Sequence, residues 1–137
     1  MKRAGLILSA AALGLSAALA GLAVAQEKPR PVPTHIYLKA EAVSGVPGKQ
    51  TTMVSILWPP GSTTGRLYHD GDEYALVTEG EITLLVDGKA PRTIHAGEAY
   101  HNTAGLVHET KNAGSVPAYS IAVFVLDKGK PLQQPAR

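Results

Sequence analysis

The chain contains no cysteine. Catalysis by a thiolate and zinc sites built from thiolates are therefore excluded, and no disulfide can contribute to stability. The protein could reside in an oxidising compartment, although without cysteine it forms no disulfide there. The stability of the protein must come from a hydrophobic core of about a hundred residues, which is adequate for one domain.

A surplus of charge is also missing from most of the chain. The sequence has 13 basic and 11 acidic residues, and two of the basic ones, Lys2 and Arg3, stand at its very beginning. Without these two, basic and acidic side chains are equal in number. A formally neutral domain has no electrostatic footprint for nucleic acid or for an anionic membrane. We therefore expect neither as a partner.

The first 25 residues have the pattern of a signal peptide. After the two basic residues, an uncharged run rich in Ala, Leu and Gly covers residues 6–22, and Ala-Val-Ala follows at residues 23–25. A positive head, an apolar run and a small-x-small site predict Sec-type export with cleavage after Ala25. The run approaches the ~18–20 residues that span a bilayer, so an uncleaved anchor is the alternative. We expect a periplasmic or secreted bacterial protein without a membrane anchor after cleavage.

Helical periodicity is absent from the rest of the sequence, and β-strand patterns take its place. Short segments rich in β-branched and aromatic residues alternate with Gly, Pro and Asp-Gly turn signals roughly every 8–12 residues, which indicates an all-β sandwich or barrel. We expect a Pro-rich linker at residues 26–34, one antiparallel β domain at residues 35–127 and a polar tail at residues 128–137. The predicted strands cover residues 35–43, 51–58, 74–79, 82–87, 92–95, 99–103, 107–110 and 118–126.

The sequence shows neither a nucleophile with a base partner nor a glycine loop that cradles phosphate before a helix. The side chains that remain as candidates for chemistry are His69, Glu73 and His108. A His and a Glu four residues apart across a turn more often form a surface ion pair than a metal site. On spacing alone, both interpretations stay open.

Two longer patterns surround these three residues. The cupin family has a first motif, G(x)5HxH(x)3-4E(x)6G, and a second, G(x)5PxG(x)2H(x)3N. The segment from Gly61 to Gly80 follows the first with His69 and Glu73 in place, and the segment from Gly97 to Asn112 follows the second with His108 in place. The chain therefore resembles a small single-domain cupin. The resemblance implies a jelly-roll barrel with these side chains pointing inward, one bound divalent metal and a homodimer.

The chain departs from these motifs at two positions. Thr103 replaces a turn proline, and Leu67 replaces the first metal-binding histidine. Tyr68 cannot supply the missing ligand because neighbouring strand residues face opposite sides. The resemblance thus leaves His69, Glu73 and His108 as ligands. Two imidazoles and a carboxylate suit Fe, Mn, Zn, Ni or Cu, and the ligand types do not decide among them.

The resemblance also predicts which other residues face the pocket. Leu67, Tyr100 and Asn102 are the expected wall, while His101 is a weak fourth-ligand candidate that faces outward if its two neighbours face inward. His35 and His95 lie outside both motifs and are expected on the surface. The spacing gives Asn112 no defined role.

Three functions are compatible with these observations. The first is a metal-dependent enzyme, dioxygenase- or isomerase-like, acting on a small organic molecule. The second is a non-catalytic cupin that binds a small molecule and has lost its metal, with Leu67 as the trace of that loss. The third is a barrel used mainly for assembly. The fold is better supported by the resemblance than any activity.

Overall fold

The computed structural model describes residues 30–137, with Leu38 described by its backbone alone. The predicted leader and the first part of the predicted linker lie outside the described residues. Within residues 30–137, no helix has the length and apolar character needed to cross a membrane.

Ten strands and their turns make up the described part of the chain. They form two five-stranded antiparallel sheets. The strands are β1 (Thr34–Ala42), β2 (Lys49–Trp58), β3 (Leu67–Tyr68), β4 (Asp72–Glu79), β5 (Glu81–Val86), β6 (Arg92–His95), β7 (Ala99–Asn102), β8 (His108–Lys111), β9 (Ala118–Asp127) and β10 (Gln134–Pro135).

One sheet has the strand order β1-β2-β9-β4-β7 and the other has the order β10-β3-β8-β5-β6. Strands that are distant in the sequence are therefore neighbours in both sheets, as in a jelly roll. The prediction of an all-β antiparallel jelly-roll barrel is confirmed. Two strands, β3 and β10, had no counterpart in the sequence prediction. Each is only two residues long.

The hydrophobic core lies between the two sheets and follows the alternation of side chains along the strands. Buried residues from β2 and β9 meet buried residues from β5 and β6 in one cluster. Trp58, at the end of β2, is the largest of its fully buried side chains, and its indole N–H donates to Ser120 Oγ on β9 at 2.9 Å. This bond satisfies the one polar atom of the Trp58 side chain inside the barrel.

Asn112 braces the turn that leads from β8 to β9. Its buried amide nitrogen donates to the backbone carbonyls of Trp58, at 2.9 Å, and Val116, at 2.8 Å. Its amide oxygen accepts from the backbone N–H of Gly114 at 2.9 Å. All the hydrogen bonds recorded for this side chain go to backbone groups, so Asn112 has a structural role that its spacing in the sequence did not indicate.

We expect Asn112→Asp to destabilise the protein by about 2–5 kcal/mol, because the buried carbonyl of Trp58 and the partly buried carbonyl of Val116 would lose their donor and face a carboxylate. The free energy of unfolding in urea measures the effect. Ala113→Asp adds the same charge at the neighbouring exposed position and should change stability by less than about 0.5 kcal/mol. Equal unfolding curves for the two variants would contradict the bracing role.

Candidate metal centre

The side chains of His69, Glu73 and His108 converge inside the barrel. His69 follows β3, Glu73 lies on β4 and His108 begins β8, and all three are buried. Glu73 Oε2 lies 3.4 Å from His69 Nε2 and 3.6 Å from His108 Nε2. Such burial removes the interpretation of His69 and Glu73 as an exposed surface pair.

Two local features bring these residues together. Leu67 on β3 lies directly opposite His108 on β8, so the two strands share an inward face at this point. Between His69 and Glu73 the chain turns at Gly71, which packs directly on the backbone of β9. A Cβ atom at Gly71 would lie 1.9 Å from the carbonyl oxygen of Val125, so only glycine fits there. The motif spacing therefore depends on a close backbone approach.

The donor set has the chemistry and the spacing of a metal site. The three residues offer one ligand atom each, and these atoms lie within 4.8 Å of one another. Metal–ligand bonds of ~2.1 Å place adjacent ligand atoms about 3.0–3.4 Å apart in octahedral or tetrahedral geometry, near the two distances observed. His69, Glu73 and His108 could hold one metal ion, and the carboxylate would offset one of its charges.

Two side chains on β7 orient the carboxylate of Glu73. Tyr100 donates its hydroxyl to Oε1 at 3.2 Å, and Asn102 donates its amide nitrogen to Oε2 at 2.8 Å. Both were predicted as pocket wall. The structure places both on the inner face, in contact with Glu73. Burial and the neighbouring carboxylate raise the pKa of Tyr100 well above its usual value, so its phenol keeps the proton that it donates.

Opposing effects act on the pKa of Glu73. Burial raises it, whereas the hydrogen bonds and charges of His69, Asn102 and His108 lower it, and the pKa ends below its ordinary value. Glu73 is therefore a carboxylate at neutral pH. An ionised, oriented carboxylate is the form that binds a cation.

Backbone carbonyls fix both imidazole rings. His69 Nδ1 lies 2.7 Å from the carbonyl oxygen of Leu132, and His108 Nδ1 lies 2.9 Å from that of Leu106. A carbonyl can only accept, so each Nδ1 carries the proton and each Nε2 faces Glu73 with a lone pair when the ring is neutral. Burial lowers the pKa of His108, which favours that neutral ring.

A small cavity adjoins the three side chains. Its volume of about 20 Å³ admits about one water molecule. Its buried wall is mostly apolar, and its less buried lining residues, which mark the side toward solvent, are polar. The apolar wall consists of Ile56, Trp58, Leu67 and Phe124, and the polar side consists of His35, Thr64 and Gln133.

The expectation of a surface position for His35 is wrong. His35 pairs with Ile56 across β1 and β2, so the two side chains share the face that lines the cavity. Burial lowers its pKa, although the charge of Glu73 raises it in part. The sequence predicts that Ile56 faces inward, because it lies on a clear strand. It does not predict that His35 pairs with Ile56, because the register between the two strands cannot be read from it.

The other two histidines face outward. His95 lies on the exposed side of β6, with its Nδ1 3.1 Å from Glu81 Oε2. His101 stacks on the exposed ring of Tyr74 with 4.3 Å between ring centroids, so it lies outside the group that could bind a metal. Leu67, in contrast, lines the cavity at the place where the motif has a histidine.

We expect the metal-free protein to lose stability as the pH falls below neutral. His35 and His108 have lowered pKa values, so between their folded values and the unfolded value of ~6.5 the unfolded chain binds more protons. Unfolding free energies at pH 7.5 and 5.5, in chelator, should show the decrease. His35→Gln and His108→Gln should each make it smaller, with His95→Gln as the control for removing an imidazole. An unchanged pH dependence in both variants would contradict this.

Comparison with known proteins agrees with the geometry. The sequence matches the cupin domain family over residues 54–124, just over half of the chain. It is 34% identical over 73 residues to the HTH-type transcriptional regulator PuuR of Escherichia coli K12, a match that covers 53% of this chain and 39% of that regulator. The chain thus spans well under half of this relative.

Solved structures share the fold at low sequence identity. A Klebsiella pneumoniae protein with a double-stranded β-helix domain has a TM-score of 0.62 at 16% identity, with 79% of this chain and 90% of that chain covered. The DMSP lyase DddQ from Ruegeria pomeroyi has a TM-score of 0.62 at 17% identity, with 77% and 52% covered. Two sheets in jelly-roll order, a buried His-Glu-His group and a matching family profile lead to one conclusion: the chain belongs to the cupin domain family.

Proposed function

We propose that the protein binds one divalent metal ion through His69, Glu73 and His108 and acts on a small organic molecule at that ion, in a dioxygenase- or isomerase-like reaction. The observation that carries the proposal is the convergence of two Nε2 atoms and one carboxylate oxygen, at 3.4 and 3.6 Å, in the buried interior of the barrel. A bound metal would supply Lewis acidity or, if redox-active, oxygen activation.

The protein's own residues define what could reach this site. Tyr100 and Asn102 keep the carboxylate of Glu73 directed at the two imidazoles. The cavity admits only about one water-sized species, so an organic molecule has to enter past the polar side chains of His35 and Gln133. Leu67 offers it an apolar wall. Such an arrangement suits a substrate with a small polar group that points inward.

A second candidate is a cupin that binds a small molecule without catalysis. Leu67 favours it, because an apolar side chain at a ligand position has no lone pair to offer a cation and disfavours water. The curated relative with which the chain shares 34% identity over 73 residues is a transcriptional regulator, so a segment of similar sequence occurs in a protein that is named for regulation and not for a reaction. In this function a small molecule would bind at the cavity without a metal ion.

We further propose that the protein is exported, as its leader indicates, and that it forms a homodimer. Exposed apolar side chains cluster on the outer face of the sheet that contains β2, β9 and β4. Ile121 of β9 lies beside Leu76 of β4 in register, and Tyr74 and Met53 flank Val123 in the next pair. A contiguous apolar patch of this kind fits the same face of a second copy.

The metal proposal predicts about one equivalent of metal in the protein of residues 26–137, purified without a histidine tag or chelator. His108→Ala and Glu73→Gln should each retain less than about a tenth of it, because each removes one of three ligands. Elemental mass spectrometry gives content and identity, and His101→Ala is the control that removes an outward imidazole.

The outcomes separate the two functions. A redox-active metal would lead to oxygenase assays, and zinc or nickel to isomerase and hydrolase assays. Full occupancy in His108→Ala would refute the assigned site. Absence of metal from the parent, even after reconstitution, would favour the binding function, in which a ligand raises the melting temperature whether or not chelator is present.

The dimer proposal predicts that Ile121→Glu yields a monomer, because it places a charge at the centre of the apolar patch. Light scattering coupled to size-exclusion chromatography measures the mass. Val46→Glu introduces the same charge at another exposed apolar side chain, in the turn between β1 and β2, and should leave the dimer intact. A monomeric parent at micromolar concentration would refute the proposal.

A further inference from the structure

The Nδ1 atoms of His69 and His108 donate to backbone carbonyls that lie at very different distances along the chain. The carbonyl that accepts from His108 belongs to Leu106, two residues away, so the turn before β8 is sufficient to orient that ring. The carbonyl that accepts from His69 belongs to Leu132, 63 residues away. The orientation of His69 therefore depends on a segment that has to dock against the barrel.

That segment, residues 131–137, lies along the strand that leads into His69. Gln134 and Pro135 form β10 and pair with Tyr68 and Leu67 of β3. The backbone N–H of Ala136 extends the pairing by donating to the carbonyl of Arg66 at 3.0 Å. Since the strand pairing is only two residues long, it supplies little stability by itself.

Side chains supply the remaining attachment of this segment. Gln134 donates its amide nitrogen to Asp70 Oδ2 at 2.7 Å, next to His69 in the sequence. Leu132 packs its side chain against the core cluster while its carbonyl faces the imidazole. Gln133 lines the cavity between them. Leu132 thus contacts the core, Gln133 the cavity, and Gln134 the strand β3 that leads into His69.

We propose that the C-terminal segment, residues 131–137, positions His69 for metal binding through the Leu132 carbonyl, and that the hydrogen bond from Gln134 to Asp70 holds the segment in place. The proposal rests on the three-ligand site proposed above. Leu132 and Gln134 are positioning residues, because they act on the metal through His69. A hydrogen bond to the far nitrogen of a ligating histidine fixes both its tautomer and its ring orientation, and loss of such a partner typically weakens metal binding 10–100-fold.

The chain offers an exchange experiment that isolates this hydrogen bond. Gln134→Glu replaces the amide donor by a carboxylate facing Asp70, so the segment should detach by repulsion. Asp70→Asn combined with Gln134→Glu reverses donor and acceptor and should restore the contact. Gln134→Ala removes the bond without repulsion and should lie between the parent and Gln134→Glu. Gln134→Ala also tests the hydrogen bond on its own if Gln134→Glu fails to fold.

Two readouts are needed, one of them independent of metal. In metal-free protein, the ¹⁵N shifts of the imidazoles report the tautomer. We expect the Nδ1–H form for His69 in the parent, a tautomer mixture in Gln134→Glu and recovery in the double variant, with His108 as an unchanged internal reference. With Zn²⁺ as the probe, calorimetry should show an affinity at least about tenfold lower in Gln134→Glu than in the parent. In the double variant the affinity should return to within about threefold of the parent value.

The outcomes distinguish this proposal from the proposed function. Unchanged His69 signals in Gln134→Glu would overturn the positioning role, as would a loss of Zn²⁺ affinity that the double variant does not restore. Failure of the parent to bind Zn²⁺ would count against the metal function, while the tautomer comparison would still decide whether the segment orients His69.

Discussion

The arrangement of the barrel interior depends on one buried carboxylate. Glu73 is 4% exposed, and an ionised group at that depth requires partners because its desolvation is costly. Tyr100 and Asn102 satisfy it from one side with hydrogen bonds, and two imidazoles face it from the other. The partners come from β7, β8 and the end of β3, so the carboxylate on β4 brings these strands together. A cation bound between the carboxylate and the two imidazoles would add a partner of opposite charge to these hydrogen bonds.

The strands could be predicted because their signals are local, whereas the jelly-roll arrangement was implied by the resemblance to cupins. Alternating or wholly apolar segments such as residues 82–87 and 118–126 define strands, and glycine or proline turns separate them, so the eight longer strands correspond to predicted segments. The motif resemblance treated residues 67–69 as a strand, so alternation put Leu67 and His69 on one face, and both residues line the cavity. Leu67 and Tyr68 gave no strand signal because two residues carry no period, and their partners are far away in the chain.

What could not be predicted depends on register between distant segments. His35 faces the cavity because it pairs with Ile56, and a shift of one residue would have turned it outward as expected. Residues 131–137 are polar and rich in proline and glutamine, a composition typical of an unstructured tail, yet they supply the carbonyl that His69 needs. A backbone carbonyl leaves no trace in the identity of its residue. The structural role of Asn112 is invisible for the same reason, since its partners are backbone groups.

The contacts that orient His69 are important because Leu67 stands where the cupin motif has a further histidine ligand. In a site with four protein ligands, the loss of orientation at one histidine leaves three others to define the geometry. Here the sequence offers three, so in the proposed site a misoriented His69 would leave only Glu73 and His108, and the segment that docks on β3 would matter more. Two polar residues of the cavity lining, His35 and Gln133, lie outside residues 54–124, the part that matches the family. The part that matches the family therefore supplies the three side chains that could hold a metal ion. The segments on either side of it contribute His35 and Gln133 to the cavity lining and the Leu132 carbonyl that accepts from His69.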